Sequence, residues 1–251
     1  MNTVFITGAT SGFGEAIART LAKQNVKMII TGRTEDKLMQ VASEIESSTK
    51  TKVIPLAFDV RSYEACEKAI NSLPEDFRDI DVLVNNAGLA VELNPIQAGS
   101  LEDWERMIDT NIKGLLYITR LISPGMVERK KGHIINLGST AAHEVYYGGN
   151  IYCATKHAVN ALTKGMRTDL LQYGIKVTQI SPGACETNFS VVRFHGDKER
   201  ADKVYEGYDP LVAQDIADVV EFVLSRPAHV CLNEVIMTPT AQFNGTIIRN
   251  K

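Results

Sequence analysis

Short apolar runs rich in β-branched residues alternate with longer amphipathic segments along most of this chain. The apolar runs predict seven strands, near residues 3–7, 26–31, 52–57, 81–84, 132–137, 175–180 and 231–236. The amphipathic segments predict helices near residues 13–24, 35–47, 62–71, 101–129 (with a break), 151–172 and 214–225. Strands and helices that alternate in this way form βαβ units. The pattern therefore predicts an α/β fold, a doubly wound sheet of seven mainly parallel strands with helices on both faces.

One stretch departs from this alternation. Residues 183–212 are polar and aromatic, and they show no clear period. A loop of this length in a compact domain is typically a lid or a binding loop. We therefore predict a single catalytic domain over residues 1–251, with a substrate-binding lid at about 183–212.

Composition and charge exclude several classes of protein. At 251 residues, with 44% hydrophobic and 23% charged residues, the chain is long enough to bury one large core. A net charge of −3 gives no basic surface, so we expect no nucleic-acid partner. No run approaches the roughly 18 apolar residues of a membrane helix, and the first strand begins too early for a secretory signal. We expect a cytoplasmic protein with no membrane partner.

The cysteines and histidines predict neither a metal site nor a disulfide. The four cysteines are scattered without short regular spacings, which is typical of reduced thiols. The five histidines also lack metal-ligand spacing, so we predict no metal. Cys153 is interpreted as a packing residue and not a nucleophile, because the sequence places no base to activate it.

A glycine-rich turn lies between the first predicted strand and the first predicted helix. Residues 7–14 read Thr-Gly-Ala-Thr-Ser-Gly-Phe-Gly. A turn in this position presents backbone N–H groups and the positive end of a helix dipole to a phosphate. Gly8 permits the tight turn, Gly12 lets the backbone approach a pyrophosphate, and Gly14 lets the helix pack close to the strand. A glycine-rich turn with no ligand is the alternative.

A cation follows the second predicted strand, where a dinucleotide fold contacts the adenosine ribose. Arg33 lies roughly 20 residues past the glycine turn, where an acidic residue would bind the ribose 2′-hydroxyl of NAD. The planar guanidinium instead suits the 2′-phosphate of NADP. A surface arginine with no ligand is the alternative. Asp59 and Val60 end the third predicted strand, where the adenine ring would lie.

A tyrosine and a lysine share one face of a predicted helix. Tyr152 and Lys156 are four residues apart, so the ammonium group is placed to stabilise a tyrosinate. A nearby positive charge lowers the pKa of a phenol, which is about 10 when free, toward the range useful for proton transfer. Ser139 follows the fifth predicted strand, and its hydroxyl can hold the oxygen that Tyr152 protonates. Open α/β sheets bind ligands at the carboxyl ends of their strands.

Together these motifs resemble the short-chain dehydrogenase/reductase family over essentially the whole chain. The residues that carry the resemblance are 7–14, Asn85-Asn86-Ala87-Gly88, Asn111, Ser139, Tyr152 with Lys156, and Pro182-Gly183. The resemblance implies a Rossmann-type fold with Tyr152 as general acid/base and Lys156 as the group that lowers its pKa and holds the nicotinamide ribose. It also implies that Ser139 orients the substrate oxygen and that Asn111 supports a proton relay.

The resemblance and the motifs above also give a set of residues expected at the NADP cofactor. This set comprises Gly8, Thr10, Ser11, Gly12, Phe13, Gly14, Arg33, Thr34, Asp59, Val60, Asn86, Ala87, Gly88, Tyr152, Lys156, Pro182, Gly183, Cys185 and Thr187.

A narrower likeness concerns the substrate. Residues 104–111, 125–129, 192–197 and 227–230 resemble NADP-dependent 3-hydroxy acid dehydrogenases, and close relatives of those enzymes reduce sulfoacetaldehyde. The resemblance implies a small substrate that pairs a carbonyl or alcohol with an anionic group, such as serine, allo-threonine, 3-hydroxypropionate or isethionate. Arg193 is placed to bind that anion, or else to fix the lid to an acidic neighbour.

The chain departs from this subgroup at residues 142–145, Ala-His-Glu-Val, where those enzymes carry small residues, a bulky aromatic and a proline. Glu144 near a pocket would repel a second anion or bind an ammonium group on an amino-acid substrate. A position facing solvent is equally compatible with the sequence. Ser139, Tyr152, Glu144 and Arg193 are the candidate substrate residues.

The sequence therefore favours an NADP(H)-dependent oxidoreductase that interconverts a small 3-hydroxy acid and its carbonyl form. Two alternatives stay open: a reductase of another carbonyl class, such as a 3-oxoacyl thioester or a ketone, and a non-catalytic NADP-sensing protein. The resemblance also implies a homotetramer, joined through the helices that carry Asn111 and Tyr152 and through the C-terminal strand.

Overall fold

A computed structural model describes residues 2–249 of the chain. The strands of the main sheet are β1 (Thr3–Ile6), β2 (Lys27–Gly32), β3 (Lys52–Ala57), β4 (Val82–Asn85), β5 (His133–Leu137), β6 (Lys176–Pro182) and β9 (Glu234–Met237). A separate parallel pair is formed by β7 (Cys185–Glu186) and β8 (Leu211–Val212). The helices are α1 (Gly12–Ala22), α2 (Glu35–Ser48), α3 (Tyr63–Asn71), α4 (Leu101–Ile108), α5 (Leu115–Arg129), α6 (Asn150–Leu170), α7 (Phe189–Arg193), α8 (Lys198–Lys203) and α9 (Ala213–Leu224).

The main sheet is parallel throughout, with the strand order β3-β2-β1-β4-β5-β6-β9. From β1 the chain builds outward to β2 and β3, and it then returns to the other side of β1 to begin the second half. The order therefore reverses between β1 and β4. The loops that leave these two strands diverge there and open a crevice at the carboxyl edge of the sheet.

Both faces of the sheet are covered, which is why its strands are apolar almost without interruption. In β1, Val4 and Ile6 point into a core shared with α1, α2 and α9. Phe5, between them, points into the opposite core, which includes residues of α3, α5 and α6. Alternate residues of a strand face opposite sides, so a strand buried on both sides has apolar residues at consecutive positions.

The structure confirms the predicted fold class, with two corrections. The last strand of the sheet begins at Glu234 and not near residue 231. Residues 183–212, predicted as a loop, contain β7, α7, α8 and β8. These elements are two to six residues long, too short for a hydrophobic period to be detected in the sequence.

The break predicted within residues 101–129 is a single turn of π-helix at Asp109–Gly114, between α4 and α5. Such turns occur often at functional sites. Among residues 2–249, the structure has no helix long and apolar enough to cross a membrane.

Candidate active site

The glycine turn occupies the crevice where the strand order reverses. Gly8 (φ +68°) and Gly12 (φ +58°) adopt left-handed conformations that other residues rarely reach. The Asn86 amide, from the loop after β4, donates hydrogen bonds to the carbonyl oxygens of Thr7 (2.8 Å) and Gly8 (3.0 Å). At the start of α1, the Ser11 side chain makes no capping hydrogen bond, so the first amides of the helix are available to an anion.

A cleft runs from this turn along the carboxyl edge of the sheet. The predicted residues that line it are Gly8, Thr10, Ser11, Gly12, Phe13, Arg33, Asp59, Val60, Asn86, Ala87, Gly88, Tyr152, Lys156 and Thr187. They come from segments scattered over most of the sequence. The structure therefore brings the glycine turn, the arginine after β2 and the Tyr-Lys pair into one continuous surface.

Five residues predicted at the cofactor do not line the cleft. A Cβ atom on Gly14 would overlap the Gly8 carbonyl oxygen, so Gly14 lies beneath the turn and lets α1 approach it. Thr34 is exposed at the N-cap of α2. Pro182 belongs to buried β6, the Gly183 N–H donates to the Met237 carbonyl oxygen (2.7 Å), and Cys185 is packed into the core.

The cleft also has walls that the sequence did not indicate. These lining residues are Thr31, Gly32, Phe58, Leu89, Thr110, Leu137, Gly138, Asn188, Phe189 and Val192. Most of them are apolar residues or glycine. Residues of these types occur throughout the chain, so their type alone does not predict a position in the cleft wall. Phe189 and Val192 belong to α7, which brings the lid against the catalytic end of the cleft.

At the nucleotide end, Arg33 is exposed and lines the cleft beside Asp59. Burial by itself raises the pKa of Asp59. Hydrogen bonds and charge from Arg61, with a smaller effect of Arg33, lower the pKa by more, so the net pKa is below its ordinary value. The Arg61 guanidinium is bound to the Asp59 carboxylate through Nη2 (2.6 Å) and Nε (2.9 Å). Arg61 is thus neutralised by its neighbour, whereas Arg33 presents its charge at the cleft.

At the catalytic end, Tyr152 and Lys156 lie on one face of α6. Lys156 is 7% exposed, and its ammonium donates to the Leu137 carbonyl oxygen (2.8 Å). Burial lowers the pKa of Lys156 to about 8. Its Nζ lies 5.9 Å from the centre of the Tyr152 ring, so the lysine is close enough to hold a charge beside the phenol.

The pKa of Tyr152 reflects opposing influences. Burial raises it above its ordinary value, and the positive charge of Arg193 and a hydrogen bond with Ser139 oppose that increase. Ser139 is itself held in place because its Oγ accepts a hydrogen bond from the Ala141 N–H (3.1 Å). The predicted Ser139–Tyr152 pair is therefore in contact, and Arg193 adds a charge that the Tyr-Lys pattern did not indicate.

Asn111 lies at the π-helical turn and is 2% exposed. Its Oδ1 accepts from the Leu89 N–H (2.9 Å), and its Nδ2 donates to the Leu89 carbonyl oxygen (2.8 Å) and to Thr155 Oγ1 (3.0 Å). The Thr155 hydroxyl in turn donates to the Tyr152 carbonyl oxygen (2.8 Å). The amide oxygen and both amide hydrogens of Asn111 are thus used to join α6 to the cleft wall, and the proton relay expected of this residue stays a prediction.

Arg193 extends from the end of α7 over the ring of Tyr152. Its guanidinium carbon lies 5.4 Å from the centre of the Tyr152 ring and 5.1 Å from that of Phe189. Nη2 is 3.4 Å from the Tyr146 hydroxyl. Nε is buried, and no group within residues 2–249 accepts a hydrogen bond from it. Tyr146 was not predicted, and its burial raises the pKa of its hydroxyl well above the ordinary value.

Glu144 does not line the cleft. Its carboxylate accepts a hydrogen bond from the Gly245 N–H (2.7 Å) and so ties the segment after Ser139 to the end of the described chain. The Gly245 backbone also lies close to the Tyr146 ring. The role considered for Glu144 as a charge in the substrate pocket is not supported by this placement.

The lid is fastened to the body across the mouth of the site. Arg200 in α8 makes a bidentate ion pair with Glu92 (2.9 and 3.2 Å), and the Glu92 N–H donates to the Arg193 carbonyl oxygen (2.8 Å). His195 Nε2 lies 3.5 Å from Asp103 Oδ2 in α4. Each of these contacts joins the lid to the segment between β4 and α5.

A Rossmann-type sheet with a glycine turn at the strand reversal and a Ser-Tyr-Lys group at its carboxyl edge defines a dinucleotide-dependent oxidoreductase architecture. A family model described as short chain dehydrogenase matches residues 2–197. The chain therefore belongs to the short-chain dehydrogenase family, as its motifs indicated.

Individual relatives are similar over nearly the whole chain. The NADP-dependent 3-hydroxy acid dehydrogenase YdfG of Salmonella typhimurium is 50% identical over 240 residues, which cover 95% of this chain and 95% of that protein. A serine 3-dehydrogenase of Rhizobium radiobacter is 45% identical, covering 96% and 94%. The solved closed form of a serine dehydrogenase complexed with NADP+ is 44% identical, covers 99% of both chains and superposes with a TM-score of 0.92.

Proposed function

We propose that this protein is an NADP(H)-dependent oxidoreductase that interconverts a small 3-hydroxy acid and its carbonyl form. The observation that carries this proposal is Arg193, a guanidinium with an unused buried donor, held over the ring of Tyr152. We propose that a carboxylate bound at Arg193 places the 3-hydroxyl of the substrate at the Tyr152 and Ser139 hydroxyls. The names of the relatives, which act on serine and 3-hydroxy acids, agree with this assignment.

The cofactor assignment rests on the fit of the cleft. A Cβ atom on Gly8 would lie 3.0 Å from the Ala87 backbone, so glycine lets the turn lie directly against the loop after β4, and both segments line the cleft. Arg33 offers an exposed cation where the adenosine ribose would lie, which favours a 2′-phosphate and hence NADP. When bound, the nicotinamide supplies or accepts the hydride. The residues that would hold the cofactor are the lining residues predicted above.

In the direction of reduction, the Tyr152 hydroxyl donates a proton to the carbonyl oxygen of the substrate. Ser139 donates a hydrogen bond to the same oxygen and fixes its position. Lys156, with a pKa of about 8, carries a positive charge beside Tyr152 near neutral pH and stabilises the tyrosinate that remains. In oxidation the same groups work in reverse, and the tyrosinate removes the proton of the alcohol.

Arg193 and Tyr146 form the anion-binding end of the pocket in this proposal. The guanidinium donates charge-assisted hydrogen bonds to a carboxylate or a sulfonate, so isethionate and sulfoacetaldehyde belong to the same substrate class. Glu144 is left outside the proposed site because its carboxylate is bonded to Gly245.

The proposal extends to assembly and location: a homotetramer in the cytoplasm. Large apolar side chains are exposed where the resemblance places the subunit contacts: Ile108 (37%), Leu116 (38%), Ile236 (56%) and Phe243 (79%). All four cysteines lie in the described residues and are free thiols, which agrees with a reducing compartment. Size-exclusion chromatography with light scattering tests the assembly, and a monomer at micromolar concentration would contradict it.

A substrate panel with and without Arg193 tests the reaction. Serine, allo-threonine, 3-hydroxypropionate and isethionate are assayed with NADP, against 1,3-propanediol as a neutral alcohol and an acetoacetyl thioester with NADPH. We expect the anionic alcohols to give the highest kcat/KM. Arg193→Gln should raise KM for them by about 10- to 100-fold, the value of a lost charge-assisted hydrogen bond, and leave KM for the neutral alcohol nearly unchanged.

Arg226→Gln is the matched control, because Arg226 also stacks on an aromatic ring, that of Phe222 (4.1 Å), but lies on the surface at the end of α9. It should leave every substrate unchanged. A higher kcat/KM for the thioester than for any hydroxy acid would identify the enzyme as a reductase of another carbonyl class. An equal rise in KM for anionic and neutral substrates in Arg193→Gln would contradict the anion-binding role of Arg193.

A further inference from the structure

A polar cluster lies beneath the segment that carries Ser139. Its centre is Glu234, the first residue of β9 at the edge of the sheet. Glu234 Oε1 accepts three hydrogen bonds, from His143 Nε2 (2.7 Å), Gln179 Nε2 (2.8 Å) and Ser181 Oγ (2.9 Å). Gln179 and Ser181 are neighbours on one face of β6 and are 2% and 0% exposed.

The cluster reaches the Ser139 segment at both of its ends. At the near end, a Cβ atom on Gly138 would lie 2.8 Å from Gln179 Nε2 and 2.8 Å from Ser181 Oγ, so the backbone before Ser139 rests on these two side chains. At the far end, His143 closes the short turn that begins at Ser139, and its N–H donates to the Thr140 carbonyl oxygen (2.9 Å). The His143 ring then joins this end of the turn to Glu234.

We propose that Glu234 is a positioning residue for Ser139, acting through His143 at one end of the turn and through Gln179 and Ser181 at the other. The inference rests on the proposed function, in which Ser139 holds the substrate oxygen for Tyr152. A hydroxyl that orients a reacting oxygen must be held within a fraction of an ångström, since small displacements lower turnover strongly.

Variants of both partners test the proposal through turnover. Glu234→Ala and His143→Ala should each lower kcat by about tenfold with KM for NADP unchanged. The double variant should lose little more than Glu234→Ala alone, because that substitution already removes the link to His143. Glu234→Gln keeps an oxygen that accepts hydrogen bonds and should recover most of the activity. His143 is partly exposed, so its substitution keeps the test open if Glu234→Ala does not fold.

Arg167→Met is the matched control for a general loosening of the sheet edge. The Arg167 guanidinium donates to the Asn233 carbonyl oxygen (2.8 Å), next to Glu234, but does not touch the cluster. This variant should lower Tm while leaving kcat unchanged at temperatures well below Tm. An equal loss of kcat in Arg167→Met and Glu234→Ala, or additive losses in the double variant, would reduce Glu234 to a structural role and overturn the proposal.

A second readout needs no substrate, so it separates this inference from the proposed function. The Ser139 hydrogen bond lowers the pKa of Tyr152. In ¹³C-tyrosine NMR, with the Tyr152 signal assigned by its loss in Tyr152→Phe, the titration of Tyr152 should shift to higher pH in His143→Ala and Glu234→Ala and stay unshifted in Arg167→Met. An unshifted titration in both cluster variants would show that the cluster does not hold Ser139, whatever the substrate proves to be.

Discussion

The two ends of the cleft are built from different parts of the chain. The nucleotide end is made of backbone: a turn between β1 and α1 whose glycines approach the neighbouring loop, held by the amide of Asn86. The substrate end is made of side chains from irregular segments. Contacts between residues far apart in sequence hold it, among them His143 with Glu234 and Glu144 with Gly245.

This difference has a consequence for what each end tolerates. A side chain at Gly14 would collide with the turn backbone, and Gly8 and Gly12 adopt left-handed conformations, so the nucleotide end can change little without disturbing the fold. The substrate end lies outside the main sheet in β7, β8, α7, α8 and the segment after Ser139. Apart from Cys185, which is packed into one core, and Leu211, which packs against it, its side chains lie outside the two cores and can be exchanged while those cores stay intact. The molecule thus combines a cofactor site that tolerates few substitutions with a substrate pocket whose side chains can change.

The largest expected effect separates chemistry from cofactor binding. Tyr152→Phe removes the proton donor and leaves the ring in place, so kcat should fall by roughly 10²- to 10⁴-fold, the usual contribution of a general acid. The Kd for NADPH, measured by fluorescence titration, should change less than about threefold, because the nucleotide end is untouched.

Tyr63→Phe is the control for this substitution. Tyr63 is a partly exposed tyrosine at the start of α3, bonded to Glu67 (3.1 Å), and the variant should match the wild type. Turnover within a factor of three of wild type in Tyr152→Phe would remove Tyr152 from the mechanism. A large rise in the Kd for NADPH would show instead that the two ends of the cleft are not separable.

The nucleotide end is also the part of the site that the sequence predicted most completely. Gly8 and Gly12 could be predicted because the turn has backbone conformations that favour glycine. Arg33 could be predicted because it lies at a fixed separation from that turn. Such signals lie within a few residues of one strand, so one sequence is enough to read them. The order of βαβ units predicted the sheet for the same reason, since each apolar run reports burial on both of its faces.

The substrate end was predicted only in part, for physical reasons. Ser139 and Arg193 were identified by residue type, but Tyr146 and Glu234 were not, because their roles arise from contacts across the fold. His143 and Glu234 are 91 residues apart in sequence. Glu144 was considered as a pocket charge because it is near Ser139 along the chain, whereas the structure turns its carboxylate toward Gly245. The helices and strands of the lid were not predicted, because each is too short for a hydrophobic period to be detected in the sequence.

The second largest effect concerns the buried lysine where the two ends meet. Because burial lowers the pKa of Lys156 from 10.5 to about 8, the folded protein loses this proton between pH 8 and 10.5 while the unfolded chain keeps it. Below pH 8 the folded state carries the full cost of burying the charge. The free energy of unfolding should therefore rise with pH across this window, by up to about 3 kcal/mol from this residue.

Urea unfolding at several pH values between 8 and 10.5 measures this effect as the difference between wild type and Lys156→Met. The rise should be missing in the variant. Lys164→Met, an exposed lysine on the same helix, should retain it. Parallel curves for wild type and Lys156→Met would mean that Lys156 keeps its ordinary pKa, and the role of its charge beside Tyr152 would have to be revised.

The third effect tests the nucleotide end alone. Arg33→Ala should lower the ratio of kcat/KM for NADP to that for NAD by about 10- to 100-fold, since one charge-assisted contact to the 2′-phosphate is lost. Relative kcat/KM values for different hydroxy acids should stay the same. Lys37→Ala, an exposed cation in the first turn of α2, controls for the loss of positive charge. A wild-type preference for NAD, or an equal effect in Lys37→Ala, would contradict the role of Arg33.

The smallest effect tests the lid that closes the substrate end. The Arg200–Glu92 ion pair joins α8 to the body, and the Arg200 side chain is 47% exposed, so solvent weakens the pair and its contribution to closure is small. Arg200→Gln should therefore raise KM for the hydroxy acid about two- to fivefold with the Kd for NADPH unchanged. Lys203→Gln breaks an ion pair with Glu199 within α8 and should have no effect.

Because salt screens an exposed pair, the difference between wild type and Arg200→Gln should shrink at high ionic strength. A difference that is independent of salt would mean that Arg200 acts through its packing over the Phe194 ring (4.2 Å) and not through its charge.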